Sequence, residues 1–192
     1  GNIPSFIANN NGSVPITSVV RVSPSIGGST SDSVVYNYTG SLQTWTVPAG
    51  ITTANFEAVG AQGGSVTVTC AATGGKGARM IGDIAVTPGE TISIMVGQQG
   101  PTNGSNGGGG GGTFVVRTGN VPLIVAGGGG GAANNITMCG ANRDGKDAVT
   151  TTSGTSSGNG LVAGGTPTNG GGASNGSGGG GGGFTTNGTP GS

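Results

Sequence analysis

The chain has 192 residues, of which 48 are glycine and 6% are charged; six Lys and Arg balance six Asp and Glu, and histidine is lacking. Zero net charge gives no electrostatic footprint for nucleic acid or an anionic membrane surface, and without histidine the commonest general base is missing. Disorder goes with low hydrophobicity and high net charge, whereas this chain has a mean hydropathy near zero and clear Val, Ile and Thr runs, so it is expected to fold, as one domain with an extension.

Residues 1–30 read as an N-terminal arm. They hold a strand candidate over 16–22 whose apolar positions include Ile16, Val20 and Val22, flanked by Asn9-Asn10-Asn11-Gly12 and by Pro24-Ser25-Ile26-Gly27-Gly28-Ser29. A tethered β-strand suggests donation to an exposed sheet edge of the next subunit, a head-to-tail contact that generates an open filament. The alternative is that the arm folds back as one more strand of its own domain. Strand patterns follow at 34–38, 42–47, 54–59, 66–70, 78–86, 91–96, 113–117 and 123–126, separated by turn residues such as Thr87-Pro88-Gly89-Glu90. Eight short strands at this spacing predict an all-β domain, a sandwich or jelly roll, over 31–131. From about residue 132 the pattern fades into Gly, Ser, Thr and Asn, interrupted by Leu161-Val162-Ala163; 132–192 is read as the remainder of the same domain.

Glycine tracts at 107–112, 127–131 and 178–183 punctuate this pattern. Glycine runs ordinarily read as flexible linker, but the first two are threaded between the apolar runs 113–117 and 122–126. A polyproline-II-type helix, with three residues per turn and no internal hydrogen bonds, is the ordered alternative. Several such helices side by side could bond each other through their backbones. A bundle of polyglycine II helices embedded in the domain is therefore expected for the tracts at 107 and 127; for the tract at 178 both readings stand.

Candidate chemistry is sparse. Cys70 and Cys139 are the only thiols; if the protein is secreted a single disulfide is the simpler reading, restraining the unfolded chain by roughly 4 kcal/mol, and two buried thiols are the alternative. Sequons occur at Asn11, Asn37, Asn103, Asn135, Asn175 and Asn187, but with 16 Asn and 43 Ser or Thr in the chain chance supplies about four. The carboxylates are Asp32, Glu57, Asp83, Glu90, Asp144 and Asp147. Charge concentrates only at Arg143-Asp144-Gly145-Lys146-Asp147, which lacks the ligand spacing of a calcium loop and is expected to be a solvated turn. No phosphate-loop or nucleophile-elbow motif is present. Tyr36, Tyr38, Trp45, Phe56 and Phe114 lie in strand candidates and are expected in the core. No catalytic residue, metal site or cofactor is assigned, and no stretch approaches the ~20 apolar residues of a membrane span. The sequence begins at Gly1 without initiator Met or signal peptide, as for a processed secreted protein or a trimmed chain.

An ordered series of blocks carries a resemblance. These are 38–50 (Tyr-Thr-Gly-Ser-Leu-Gln-Thr-Trp-Thr-Val-Pro-Ala-Gly), 56–64 (Phe-Glu-Ala-Val-Gly-Ala-Gln-Gly-Gly), 74–78 (Gly-Gly-Lys-Gly-Ala), 86–91 (Val-Thr-Pro-Gly-Glu-Thr), 96–100 (Val-Gly-Gln-Gln-Gly) and 123–126 (Leu-Ile-Val-Ala) before a glycine tract. Together, over roughly 34–192, they resemble the glycine-rich domain of anaplastic lymphoma kinase receptor ectodomains, a type found also in secreted and surface proteins of bacteria and protists. The resemblance implies a β-sandwich carrying polyglycine helices in an extracellular setting. No kinase, transmembrane helix or cysteine-rich module accompanies it here, so a receptor role is not implied. The expected function is a non-enzymatic extracellular structural protein, secreted or at the cell surface, self-assembling head to tail into a fibre or matrix. The alternative is a monomeric adhesin or receptor-binding module whose glycine-bundle loops contact a glycan or cell-surface protein. Ice binding ranks below both, because Thr is scattered rather than periodic.

Overall fold

A computed structural model of the chain describes residues 18–26, 29–30, 32–67, 71–102, 104, 106–133, 143–150 and 179–180. Period-two alternation builds its strands: in β5 (Thr53–Val59) Ala54, Phe56 and Ala58 are buried between half-buried polar neighbours, and in β7 (Thr91–Met95) Ile92 and Ile94 point inward. The other strands are β1 (Val19–Ile26), β2 (Ser29–Thr30), β3 (Val34–Asn37), β4 (Gln43–Thr46), β6 (Arg79–Ala85), β8 (Thr113–Arg117) and β9 (Val121–Ala126). They form two antiparallel sheets. In the first, β1 lies between β5 and the pair β2 and β3, and β6 closes the far side; the second runs β4–β7–β8–β9.

The sheets face each other as a β-sandwich. Val20, Val22, Ala54, Phe56 and Ala58 from the first pack into one cluster with Trp45, Ile92, Ile94, Val115, Ile124 and Ala126 from the second. Trp45 meets Phe56 edge to face across the interior, ring centroids 5.7 Å apart at 82°, the geometry aromatic quadrupoles favour. Turn chemistry follows the sequence. Glu90 N–H donates to Thr87 O at 2.9 Å with Gly89 at φ 80°, a type II turn with Pro at its second position and Gly at its third.

Three sequence expectations are corrected. The described part of the arm strand extends past residue 22 to Ile26, with 16–17 outside the described residues, and of the two readings the sequence left open it is a strand of its own domain, paired to β5 from Val19 to Ser25 and to β3 from Val19↔Asn37 to Val22↔Val34. Pro24, which has no N–H to give, falls between the stretches of β1 that pair with β3 and with β2, so the ladder tolerates it. The strand expected over 66–70 is not a sheet strand in its described part: Val66 makes an isolated bridge with Ala72, and 68–70 lie outside the described residues. Tyr38, expected in the core, is 44% exposed because it follows the last residue of an edge strand.

At one end of the sandwich the strands β5 to β9 continue into extended segments: I (60–66), II (72–78), III (97–101), IV (107–112) and V (127–133), joined by VI (143–148). Their backbone hydrogen bonds recur every third residue. Gly60, Gly63 and Val66 N–H donate to Ala78, Gly75 and Ala72 O; Ala61 and Gly64 N–H donate to Gly111 and Gly108 O; Gly130 and Ala133 N–H donate to Lys146 and Arg143 O. A three-residue step is the repeat of the polyproline-II helix, which has no bonds of its own and so must find them in neighbours. The third tract is represented by Gly179, which accepts from Gly131 N–H and donates to Gly107 O.

Glycine is required by approach distance. A Cβ on Gly129 would sit 1.9 Å from Gly75 O, a backbone atom that cannot swing aside, whereas one on Gly127 meets nothing nearer than Ala148 Cβ at 3.7 Å. Gly129→Ala is therefore expected to cost about 3 kcal/mol or more by overpacking, lowering Tm by about 6 °C or more. Gly127→Ala should stay within about 1 kcal/mol of wild type, since it also stiffens the unfolded chain. Thermal denaturation of the two variants, which have the same composition, checks this; equal losses would show that the tract is not closely packed.

Candidate functional site: the glycine bundle and an open sheet edge

The seam between sandwich and bundle is polar and sealed. Thr113, at the start of β8, is fully buried; its Oγ1 accepts from Gly97 N–H at 3.0 Å and donates to Val59 O at 2.8 Å. One hydroxyl thus ties β5, β8 and the root of segment III together. Ser18 Oγ, also buried, donates to Gly97 O.

The charged run at 143–147 is exposed at Asp144, Lys146 and Asp147, as the sequence suggested, but it does more than turn. It forms segment VI on the bundle's flank, and its three-residue spacing is what places its carboxylates. Asp144 Oδ1 accepts from Thr73 N–H at 2.8 Å and from Thr73 Oγ1 at 3.1 Å, while Asp147 Oδ1 accepts from Lys76 N–H at 2.6 Å. Residues three apart lie on one face of a three-fold helix, so two acceptors on segment VI meet two donors, also three apart, on segment II. Arg143 is buried, with Nε donating to Ala133 O at 3.2 Å.

The remaining carboxylates for which bonds are described are also structural. Glu57 pairs with Arg79 at 2.7 Å and Arg21 at 3.9 Å, Glu90 with Arg117, and Asp83 accepts from Asn55 Nδ2 at 2.8 Å. No group of three metal-ligating side chains occurs among the described residues, and no helix there is long and apolar enough to cross a membrane.

The two lateral edges of the sandwich differ. On one, β6 presents Arg79 and Asp83, and β9 contains Pro122 and pairs with β8 through a register shift between Val115 and Val116; charge, proline and bulge are the usual protections of an edge strand. The other edge is β3 beside β4, held together by Gln43 Nε2 donating to Asn37 O at 2.8 Å and Tyr36 Oη donating to Thr44 O at 3.4 Å. Neither strand carries charge, proline or bulge. Of the six large apolar side chains exposed among the described residues, Val34, Val35, Tyr38 and Leu42 lie on β3 and the loop to β4, and Met95 falls opposite Leu42 if the β4–β7 register is continued by one residue. Among the described residues no strand pairs with the outer side of β3.

Sequence-predicted site residues distribute unevenly over this frame. Val20 and Val22 are fully buried in β1, and Ile16 lies outside the described residues. Asn37 ends β3 and is exposed. Asn11, Asn103, Asn135, Asn175, Asn187, Cys70 and Cys139 lie outside the described residues. An exposed sheet edge was expected but not which strands would form it, although the signal is in the sequence: no charged residue occurs from Ser33 to Phe56.

Two outcomes follow. Asp144→Ala with Asp147→Ala should destabilise the protein by about 3 kcal/mol in total, taking about 1 kcal/mol for each of the three hydrogen bonds lost. The Asn pair, which keeps the acceptor oxygens, should recover most of that in urea titration. Burial raises the Tyr36 phenol above its ordinary range. A raised folded-state value means that the stability owed to the neutral phenol is complete below the unfolded pKa of about 10 and is lost as pH rises through the folded value. Tyr36→Phe should flatten this alkaline loss in Tm measured against pH.

Comparison with models of protein families finds no match, and comparison with curated proteins finds none either.

Proposed function

We propose that this chain is a non-enzymatic extracellular structural protein, a subunit that assembles with its own copies into a surface fibre or matrix. The observation that carries the reading is the contrast between its two edges: one side of the sandwich is guarded by charge, proline and a bulge, and the other is an uncharged edge with exposed apolar side chains that no described strand pairs with. Unguarded edges template pairing with another chain. A body stiffened by backbone-to-backbone bonds between glycine segments suits a load-bearing or spacing role. The engagement of Glu57, Glu90, Asp144 and Asp147 in structural bonds supports a non-catalytic reading. The extracellular setting rests on the resemblance to secreted and surface glycine-rich domains.

One observation favours a monomeric adhesion module that binds a glycan or cell-surface protein: β1 pairs within its own chain, so the sandwich is complete without a donated strand. In the assembly reading Val20 and Val22 are therefore core residues, and donation passes to the residues upstream of Ser18.

Negative-stain electron microscopy of concentrated protein separates the two. Regular filaments that vanish when residues 1–17 are deleted are expected. Isolated particles in both samples would transfer the reading to the monomeric module.

A further inference from the structure

Resting on the assembly reading above, we infer that the outer edge of β3 is an acceptor site for one extended strand, and that its occupant is residues 3–8 of a second copy of this chain. The acceptor is defined by Val34 and Val35, 42% and 44% exposed, on a strand whose inner side is already paired to β1. Val34 lies opposite buried Val22 and so on the core-facing side, while Val35 lies opposite exposed Arg21 on the outer side. An added strand would thus find an apolar neighbour on each face, and its backbone would bond the outer row of β3 N–H and C=O groups.

Three features of the chain match residues 3–8 to this edge. Ile3, Phe6 and Ile7 are apolar and residues 1–17 contain no charge, so nothing opposes docking on an edge that is itself uncharged. Pro4 confines the segment to an edge position, where one side of the strand makes no ladder bonds, and it would blunt the new edge after docking. The third is position. The described chain opens at Ser18, and Val19 sits opposite Asn37 at the bundle end of β3. A donor antiparallel to β3 runs away from that end, leaving nine residues, 9–17, that span at most about 30 Å. Within one chain that linker would have to reverse and run back the roughly 20 Å length of the donor to reach Ser18, a span it covers, so isotope labelling is what separates the two arrangements. Between copies it runs on to the next sandwich, and because donor and acceptor differ, the contact is head to tail and extends as an open filament when its rotation does not close a ring.

The test uses the full chain. Val35→p-benzoylphenylalanine is installed, and equal amounts of ordinary and 15N-labelled protein are mixed, assembled and irradiated. Crosslinks joining residue 35 of one isotope to the 1–21 tryptic peptide of the other are expected. Crosslinks confined to one isotope would show the segment closing its own edge, and crosslinks from β3 to β3 would show edge-to-edge pairing; either overturns the assignment. In parallel, Val35→Lys and deletion of residues 1–8 should each reduce filament mass at least tenfold with Tm unchanged. The deletion removes nothing from the described sandwich, so it stands as the control if Val35→Lys misfolds. Filaments that survive both changes overturn this site and leave the assembly reading intact. A wild-type chain that stays monomeric overturns the assembly reading itself.

Discussion

Backbone hydrogen bonding between glycine segments at contact distance is the constraint on which the rest of this protein depends. A polyproline-II-type helix satisfies none of its own N–H or C=O groups, so each segment of the bundle is held by bonds to its neighbours, recurring every third residue. Those bonds need chain separations that leave no room for Cβ at the inward positions, as the 1.9 Å approach at Gly129 shows. Glycine is the least favourable residue to order, and the bundle offsets that cost by pairing backbone polar groups that would otherwise need water. The order of these segments is thus cooperative: a segment taken away from its neighbours has nothing to bond to.

The sandwich supplies what the bundle cannot, a hydrophobic core. Strands β5 to β9 deliver the segments side by side in alternating direction, which fixes their register at the root of the bundle. Thr113 shows how closely the two parts are coupled, since a single buried hydroxyl bonds the end of β5 and the root of segment III. Asp144 and Asp147 perform the corresponding task on the far flank, their spacing matched to the three-residue repeat of segment II. In a chain with so few charges, the ionic groups serve as fasteners between backbone segments.

The unequal edges link this architecture to the proposed assembly. Charge, proline and a bulge discourage pairing on the β6 and β9 side, while β3 and β4 carry none of them and gather the exposed apolar side chains. In the proposed assembly the outgoing arm leaves from the bundle end of the sandwich, beside Asn37, and the linker of an incoming copy leaves β3 at the opposite end. The in-chain pairing of β1 leaves donation in that assembly to residues before Ser18, which would keep each sandwich intact as subunits join.

Much of the fold was legible in the sequence, because period-two alternation reports directly on which side chains face a core: the runs around Phe56, Ile92 and Val115 are strands where the pattern put them. The turn at Gly89 was readable for a similar local reason, since a positive φ selects glycine. Partnership was not readable. Whether residues 19–26 pair at home or abroad, whether the exposed carboxylates of 143–147 also hold a neighbouring backbone, and which edge no described strand covers all depend on segments far apart in the chain. Glycine made this harder still: with no side chain, a tract says that chains approach closely without saying which ones, and only the three-dimensional arrangement of the segments supplies the partner for each N–H and C=O.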